Sequence, residues 1–237
     1  MFFLIVCDSK IKLYLCKRKY DIMNIDGLLN RYFKGLHPKI DVFDDESIHR
    51  VYSDVVNLLK ACPEIELSVL QLLSYCFYEI LDNVVTHSGK NCGTVISHYV
   101  AKENSIRILV VDDGIGIKAS LSENNLYQNI SEEEAIQKCI QDKVTDGKGM
   151  GFGLYSTLCL MRNAGIRLEI HSGNHILISD GKVEKVMEAT PWQGTMLYLE
   201  IHSNKEIEPN VVLQNRANVE DEFNESFLDM EDMDDLW

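Results

Sequence analysis

Glu79, Asp82 and Asn83 interrupt an otherwise apolar stretch, and residues of these types at this spacing can do chemistry. On a helix, Glu79 and Asn83 project about 40° apart. A carboxylate and an amide four residues apart can bracket one ligand, the carboxylate polarising a water and the amide oxygen holding a hard cation. The pair equally suits a solvated helix face, because polar neighbours at i, i+4 are common on helices. Two glycine clusters tip the balance toward chemistry. Asp112-Asp113-Gly114-Ile115-Gly116 ends an apolar run, and Gly147-Lys148-Gly149-Met150-Gly151-Phe152-Gly153-Leu154 opens a helical pattern. Glycines at a helix start let backbone N–H groups approach phosphate oxygens, and the helix dipole adds to that attraction. An acid held at a strand end by glycine turns can accept a hydrogen bond from an exocyclic amine such as that of adenine. Neither cluster is a P-loop or a Rossmann fingerprint, since neither the GxxxxGK[ST] frame nor GxGxxG after a strand is present. Lys148 can reach a phosphate from its glycine loop or simply be solvated. His87, one turn beyond Asn83, can touch a metal's water shell or make a helix-end hydrogen bond.

These residues need elements to position them. Glu64 to Thr86 is predicted as one long helix, because Leu70, Leu73, Phe77, Ile80, Leu81 and Val84 recur at three- and four-residue intervals opposite Glu79 and Asn83. Ser88-Gly89-Lys90-Asn91 stops it. Thr94 to Ala101 and Ile106 to Asp112 are strand-like and joined by a loop of hairpin length. Residues 118–148 are polar and irregular, with one short helix opened by Ser131 and Glu134 in capping-box spacing. A helix after the second glycine cluster runs to about Asn163, and further strands are expected at Arg167 to Ser172, His175 to Asp180 and Met196 to Ile201. Residues 20–62 alternate short helical patterns with turns at Gly35 and Pro38 and hold no recognisable site. The layout is α+β, with helices on one face of a mostly antiparallel sheet.

Composition closes off several classes. Of 237 residues, 46% are hydrophobic and 25% charged, so the chain can bury a core and is neither fibrous nor wholly disordered. The net charge of −14 argues against binding nucleic acid by bulk attraction. Nine of the 37 acidic residues fall in Val219 to Trp237, which has no basic residue. In that stretch Phe223, Phe227, Met230, Met233 and Trp237 draw one apolar stripe at helical spacing, which fits either a solvated acidic end or a helix that forms on docking. The seven cysteines are odd in number and contain no CxxC pair, so reduced thiols are expected rather than a zinc site or disulfide framework. Met1 to Cys7 is apolar but far short of the roughly 20 residues of a membrane span. Its basic run follows the apolar stretch, the reverse of a signal peptide. A cytoplasmic protein with no membrane or nucleic-acid partner is expected.

The order and spelling of these motifs resemble the ATP-binding domain of the GHKL superfamily, shared by gyrases, histidine kinases, mismatch-repair ATPases and anti-sigma-factor kinases. Glu79-Ile80-Leu81-Asp82-Asn83 is similar to its helix motif, Asp112-Asp113-Gly114-Ile115-Gly116 to its DxGxG, and Gly149-Met150-Gly151-Phe152-Gly153-Leu154 to its second glycine box. Gly194-Thr195 stands where the family often has Gly-Thr before the last strand. The resemblance covers roughly Glu66 to Ile201. It implies a two-layer α/β sandwich with ATP between helices and sheet and a mobile lid at about 118–148. The domain would occupy 63–203, between an N-terminal extension of unassigned function (1–62) and the acidic tail (204–237). It also implies roles: Asn83 coordinates Mg²⁺, Asp112 bonds the adenine amine, and Gly114 and Gly116 shape that pocket. Gly149, Gly151 and Gly153 would form the phosphate turn, with Lys148 and Thr195 also at the nucleotide. Glu79 corresponds to the acid that activates water or an acceptor in the hydrolytic and anti-sigma branches.

Within the superfamily, the branches that need a following domain with a catalytic lysine fit poorly, because 36 residues follow Ile201. His49 alone among the seven histidines lies on a plausible upstream helix, and it lacks the Glu and Pro context of a phosphoacceptor box. The expectation is therefore a regulatory switch or protein kinase of the anti-sigma-factor type. It would use Mg-ATP on a protein partner, by analogy a small STAS-like domain. A homodimer is compatible with this reading. The alternatives are a non-catalytic nucleotide-gated binding module, or a slow ATPase or histidine kinase fragment acting in trans.

Overall fold

The structure is a computed structural model. It describes residues 25–62, 64–141, 144–147, 155, 157–158, 161, 166–180 and 182–202, without the side chains of Leu72 and Tyr75. Lys148, Gly149, Gly151 and Gly153, the Met1 to Cys7 run and the striped acidic tail lie outside the described residues.

Among the described residues, five strands form one antiparallel sheet in the order β1-β2-β3-β5-β4. They are β1 (Lys39–Asp44), β2 (Cys92–Val100), β3 (Ser105–Val111), β4 (Arg167–Ser179) and β5 (Glu184–His202). Side chains alternate between the two faces of a strand, and the sequence uses that period to build two different surfaces. Val95, Ile106, Ile108, Val110, Leu168, Ile170, Leu197, Leu199 and Ile201 point into the main core. Ile96, Leu109, Val111, Met196 and Tyr198, the residues between them, point to the other face.

Among the described residues, two long helices cover the main core face. In α2 (Ile48–Lys60), Val51, Val55 and Leu59 are buried. In α3 (Leu67–His87), the stripe Val69, Leu70, Leu73, Phe77, Ile80, Leu81 and Val84 enters the same cluster. Each large apolar side chain so buried stabilises the fold by roughly 1.5–3 kcal/mol. The predicted helix is thus present, starting three residues later and ending one later, where the Ser88 N–H donates to the Val84 carbonyl. The second face carries a short helix, α1 (Ile25–Tyr32), which buries Leu28 and Tyr32 against it. Tyr32 stacks on Tyr198 with ring centroids 4.4 Å apart. Its hydroxyl donates to the buried Glu169 carboxylate at 2.8 Å. Arg31 and Arg167 also donate to Glu169, at 3.2 and 2.6 Å, so this buried acid is charge-paired.

Three strand features depart from the sequence expectation. Residues 39–44 pair with β2 from Lys39↔Ser97 to Asp44↔Cys92, although their six residues carry too short a pattern to announce a strand. Arg167 to Ser179 is a single strand with bulges between Ser172 and His175, so the two expected runs are one. β5 begins at Glu184 rather than Met196, because hairpin pairing with β4 holds a segment that is largely exposed and has no apolar alternation. Cys62, Cys76, Cys92 and Cys139 are free thiols.

Candidate functional site

On α3, Glu79 and Asn83 are half-buried. The Asn83 amide nitrogen donates to the Glu79 backbone carbonyl at 2.7 Å. A carbonyl can only accept, so this bond fixes which end of the amide is nitrogen and leaves the oxygen as the acceptor for a cation. Asp82, one residue earlier, is exposed.

The end of α3 runs into the loop that follows β3. The Ser88 carbonyl accepts from the Ile115 N–H at 2.9 Å. Gly114 lies so close to Ser88 that an added Cβ would overlap the Ser88 carbonyl oxygen and stand 2.7 Å from the Ser88 Cβ. Gly194 presses on the same loop from β5. It has φ +80°, and a Cβ there would overlap the Asp112 carbonyl and lie 2.6 Å from both the Asp112 Oδ1 and the Gly114 nitrogen. Only glycine fits either position. The β-bulge next to Gly194 is what turns this stretch of β5 toward the loop.

Asp112 is enclosed by these contacts and is 2% exposed. Its Oδ1 accepts from the Gly114 N–H at 2.8 Å, and its own N–H donates to the Thr195 carbonyl at 2.9 Å. Burial is the largest influence on its carboxyl and pushes the pKa up to about 6; hydrogen bonds from Gly114 and Thr195 oppose the rise, and the neighbouring Asp113 charge adds to it. Above that pH Asp112 is a buried, ionised acceptor. Ser172 on β4 completes the frame. Its hydroxyl donates to the Gly194 carbonyl at 2.8 Å and accepts from the Ile117 N–H at 3.0 Å. Gly116 sits directly over it.

Beyond the loop lie α4 (Gly116–Leu121), a 3₁₀ turn at Asn125–Tyr127 and α5 (Glu132–Lys138). The capping box predicted for Ser131 and Glu134 is present, with both reciprocal bonds formed. Ala135 and Ile136 are buried, and Glu132 accepts from the Asn174 N–H at 2.8 Å, so α5 is fastened to β4. His87, the last residue of α3, makes a hydrogen bond at the helix end. Its Nδ1 meets Asp146 Oδ2 at 2.6 Å, and the Ser120 hydroxyl donates to the same oxygen at 2.9 Å.

The site therefore joins Asp112, Gly114, Gly116 and Thr195 around Gly194, with Glu79 and Asn83 further up the helix that abuts them. Residues 69–203, more than half of the chain, match the family described as histidine kinase-, DNA gyrase B- and HSP90-like ATPase. The chain belongs to this ATPase family. Solved structures are similar only at low identity. The ATPase region of Saccharomyces cerevisiae topoisomerase II is 12% identical over 58% of this chain and 41% of that one, with a TM-score of 0.31. The same region bound to ICRF-187 (dexrazoxane) is 15% identical over 61% of this chain and 42% of that one, with a TM-score of 0.30. The chain thus spans about two fifths of the length of those structures. No curated protein matches it.

As a site for this ATPase family's nucleotide, the described residues fit chemically: a buried carboxylate acceptor, a cradle that a Cβ would fill, and an amide oxygen on the adjoining helix. Sequence reading did not single out Ser172, Ser88, Asp146 or Ser120, and it named Gly194 only beside Thr195. Among the described residues no group of three or more His, Cys, Asp and Glu is arranged to hold a metal. No described helix is long and apolar enough to cross a membrane.

Proposed function

We propose that the chain binds Mg-ATP between α3 and the Asp112–Gly116 loop and acts as a regulatory switch or protein kinase of the anti-sigma-factor type on a protein partner. The observation that carries the nucleotide reading is Asp112, a buried carboxylate framed by two obligatory glycines in a chain of this ATPase family. Ionised Asp112 accepts a hydrogen bond from the adenine amine, and Thr195, hydrogen-bonded to it, lies at the same pocket. Asn83 offers its amide oxygen to Mg²⁺, which supplies charge neutralisation at the phosphates. The second glycine box, Gly149, Gly151 and Gly153, would offer its backbone N–H groups to the phosphates, with Lys148 as an added cation. Glu79 acts as general base. It takes the proton from a partner hydroxyl or a water as that oxygen bonds to the γ-phosphorus and the bond to ADP breaks. A STAS-like partner and a cytoplasmic setting complete the reading.

Turnover of γ-labelled ATP tests it. Glu79→Ala should keep nucleotide binding and lose roughly 10²–10⁴-fold in rate. Asn83→Ala should lose the Mg²⁺-dependent part of binding. If the wild type with its partner turns over no ATP, the nucleotide-gated binding module replaces the kinase reading. If both variants lose binding equally, the division of labour between base and metal ligand is wrong.

A further inference from the structure

Asp146 is a buried carboxylate that the nucleotide chemistry does not use. Its side chain is 1% exposed, and its Oδ2 takes both His87 Nδ1 and Ser120 Oγ. Such a group is costly to bury, and the apolar cluster of Leu121, Ile130, Ala135 and the adjoining Val144 already packs this region without it. What a carboxylate adds is direction. An ionised carboxylate only accepts, so the His87 proton sits on Nδ1 and both partners are drawn to a single oxygen.

The two partners belong to the two halves of the site. His87 is the last residue of α3, one turn beyond Asn83. Ser120 lies in α4, which opens at Gly116, the end of the Asp112 loop. Asp146 therefore ties the metal-bearing helix to the adenine-bearing loop at a point distinct from the Ser88–Ile115 backbone bond. We propose that Asp146 is a positioning residue, bridging His87 and Ser120 so that α3 and the Asp112 loop keep the separation a nucleoside triphosphate spans. Adenosine, which has no phosphates to reach α3, needs only the loop. The inference rests on the ATP reading of the site.

Calorimetric titration of ATP with Mg²⁺ and, separately, of adenosine gives the test. Asp146→Ala should weaken ATP about tenfold or more, the scale of a lost charge-assisted pair, while adenosine affinity stays within about twofold. His87→Ala should reproduce that contrast, and the double variant should be no worse than either single one, because both remove one connection. Asp146→Asn keeps an acceptor for Ser120 and should recover part of the loss. Should Asp146→Ala fail to fold, His87→Ala and Ser120→Ala carry the same comparison. Equal losses for ATP and adenosine, additive losses in the double variant, or unchanged ATP affinity would each overturn the proposal. A wild type that binds neither ligand would instead refute the ATP reading itself.

Discussion

Asp112→Asn should make the free protein more stable at neutral pH while weakening its hold on ATP. The carboxyl titrates at about 6 in the fold against an ordinary value of 3.8, chiefly because it is buried. A difference of about two pK units corresponds to about 3 kcal/mol, since each unit is about 1.4 kcal/mol. The folded pKa is raised, so the fold prefers the protonated acid. Stability is therefore intact below pH 4, falls as pH rises from 4 through 6, and stays reduced above that window. An asparagine keeps the acceptor for the Gly114 N–H but carries no charge to desolvate. Urea unfolding across pH 4–8 should show the variant and wild type nearly equal at pH 4. At pH 7–8 the variant should be ahead by up to about 3 kcal/mol, an upper bound because local relaxation relieves part of the cost of burying the charge. A variant less stable than wild type at pH 8, or a gap that does not change with pH, would refute this reasoning. With ATP present the variant's lead should shrink, because the adenine amine needs an acceptor and meets a side-chain amide that can turn its donor outward; roughly 1–3 kcal/mol of affinity is at stake.

Wild-type ATP affinity should fall as pH drops through about 6, where Asp112 takes up its proton, and a plot of affinity against pH that stays flat between 5 and 7.5 would contradict the role given to it. Gly194→Ala should cost both fold stability and ATP affinity, because its Cβ would collide with Asp112, whereas Gly35→Ala, also at positive φ but with open space around it, should cost only about 1–2 kcal/mol of backbone strain; thermal melts of the pair decide. Tyr32→Phe removes one donor to the buried Glu169 and should lower stability by about 1.5–3 kcal/mol in urea while leaving ATP affinity unchanged, since it sits on the opposite face of the sheet.

What could be read from the sequence was whatever repeats locally. The α3 stripe, the β2–β3 pair and the Ser131–Glu134 capping box are each carried by residues a few positions apart, and each is present. β1 escaped because six residues with one buried side chain, Phe43, hold no pattern of their own; β2 supplies their ladder. The distal part of β5 escaped for a related reason: its side chains from Glu184 to Gln193 are mostly exposed, so only the backbone pairing with β4 defines it. Within the site, the glycine-and-acid motifs marked the Asp112 loop. Ser172 and Asp146 act on partners 55 and 59 residues away, and a lone serine or aspartate has no spacing that could reveal such a bond. α1 falls among the short helical patterns of residues 20–62, but its docking on the second face was hidden, because the Glu169 that receives its Tyr32 hydroxyl lies 137 residues away.

The most direct measurement of the central claim compares ATP with inosine triphosphate by titration calorimetry in Mg²⁺ at pH 7.5. Inosine triphosphate keeps the phosphates and ribose but carries a carbonyl oxygen where adenine carries its amine, so it would face the ionised, 2% exposed Asp112 with an acceptor against an acceptor. ATP should bind saturably, and inosine triphosphate should bind roughly tenfold more weakly or worse. The difference should shrink in Asp112→Asn, whose amide can donate to that carbonyl. Equal affinities for the two nucleotides, or no saturable binding of ATP, would contradict the account.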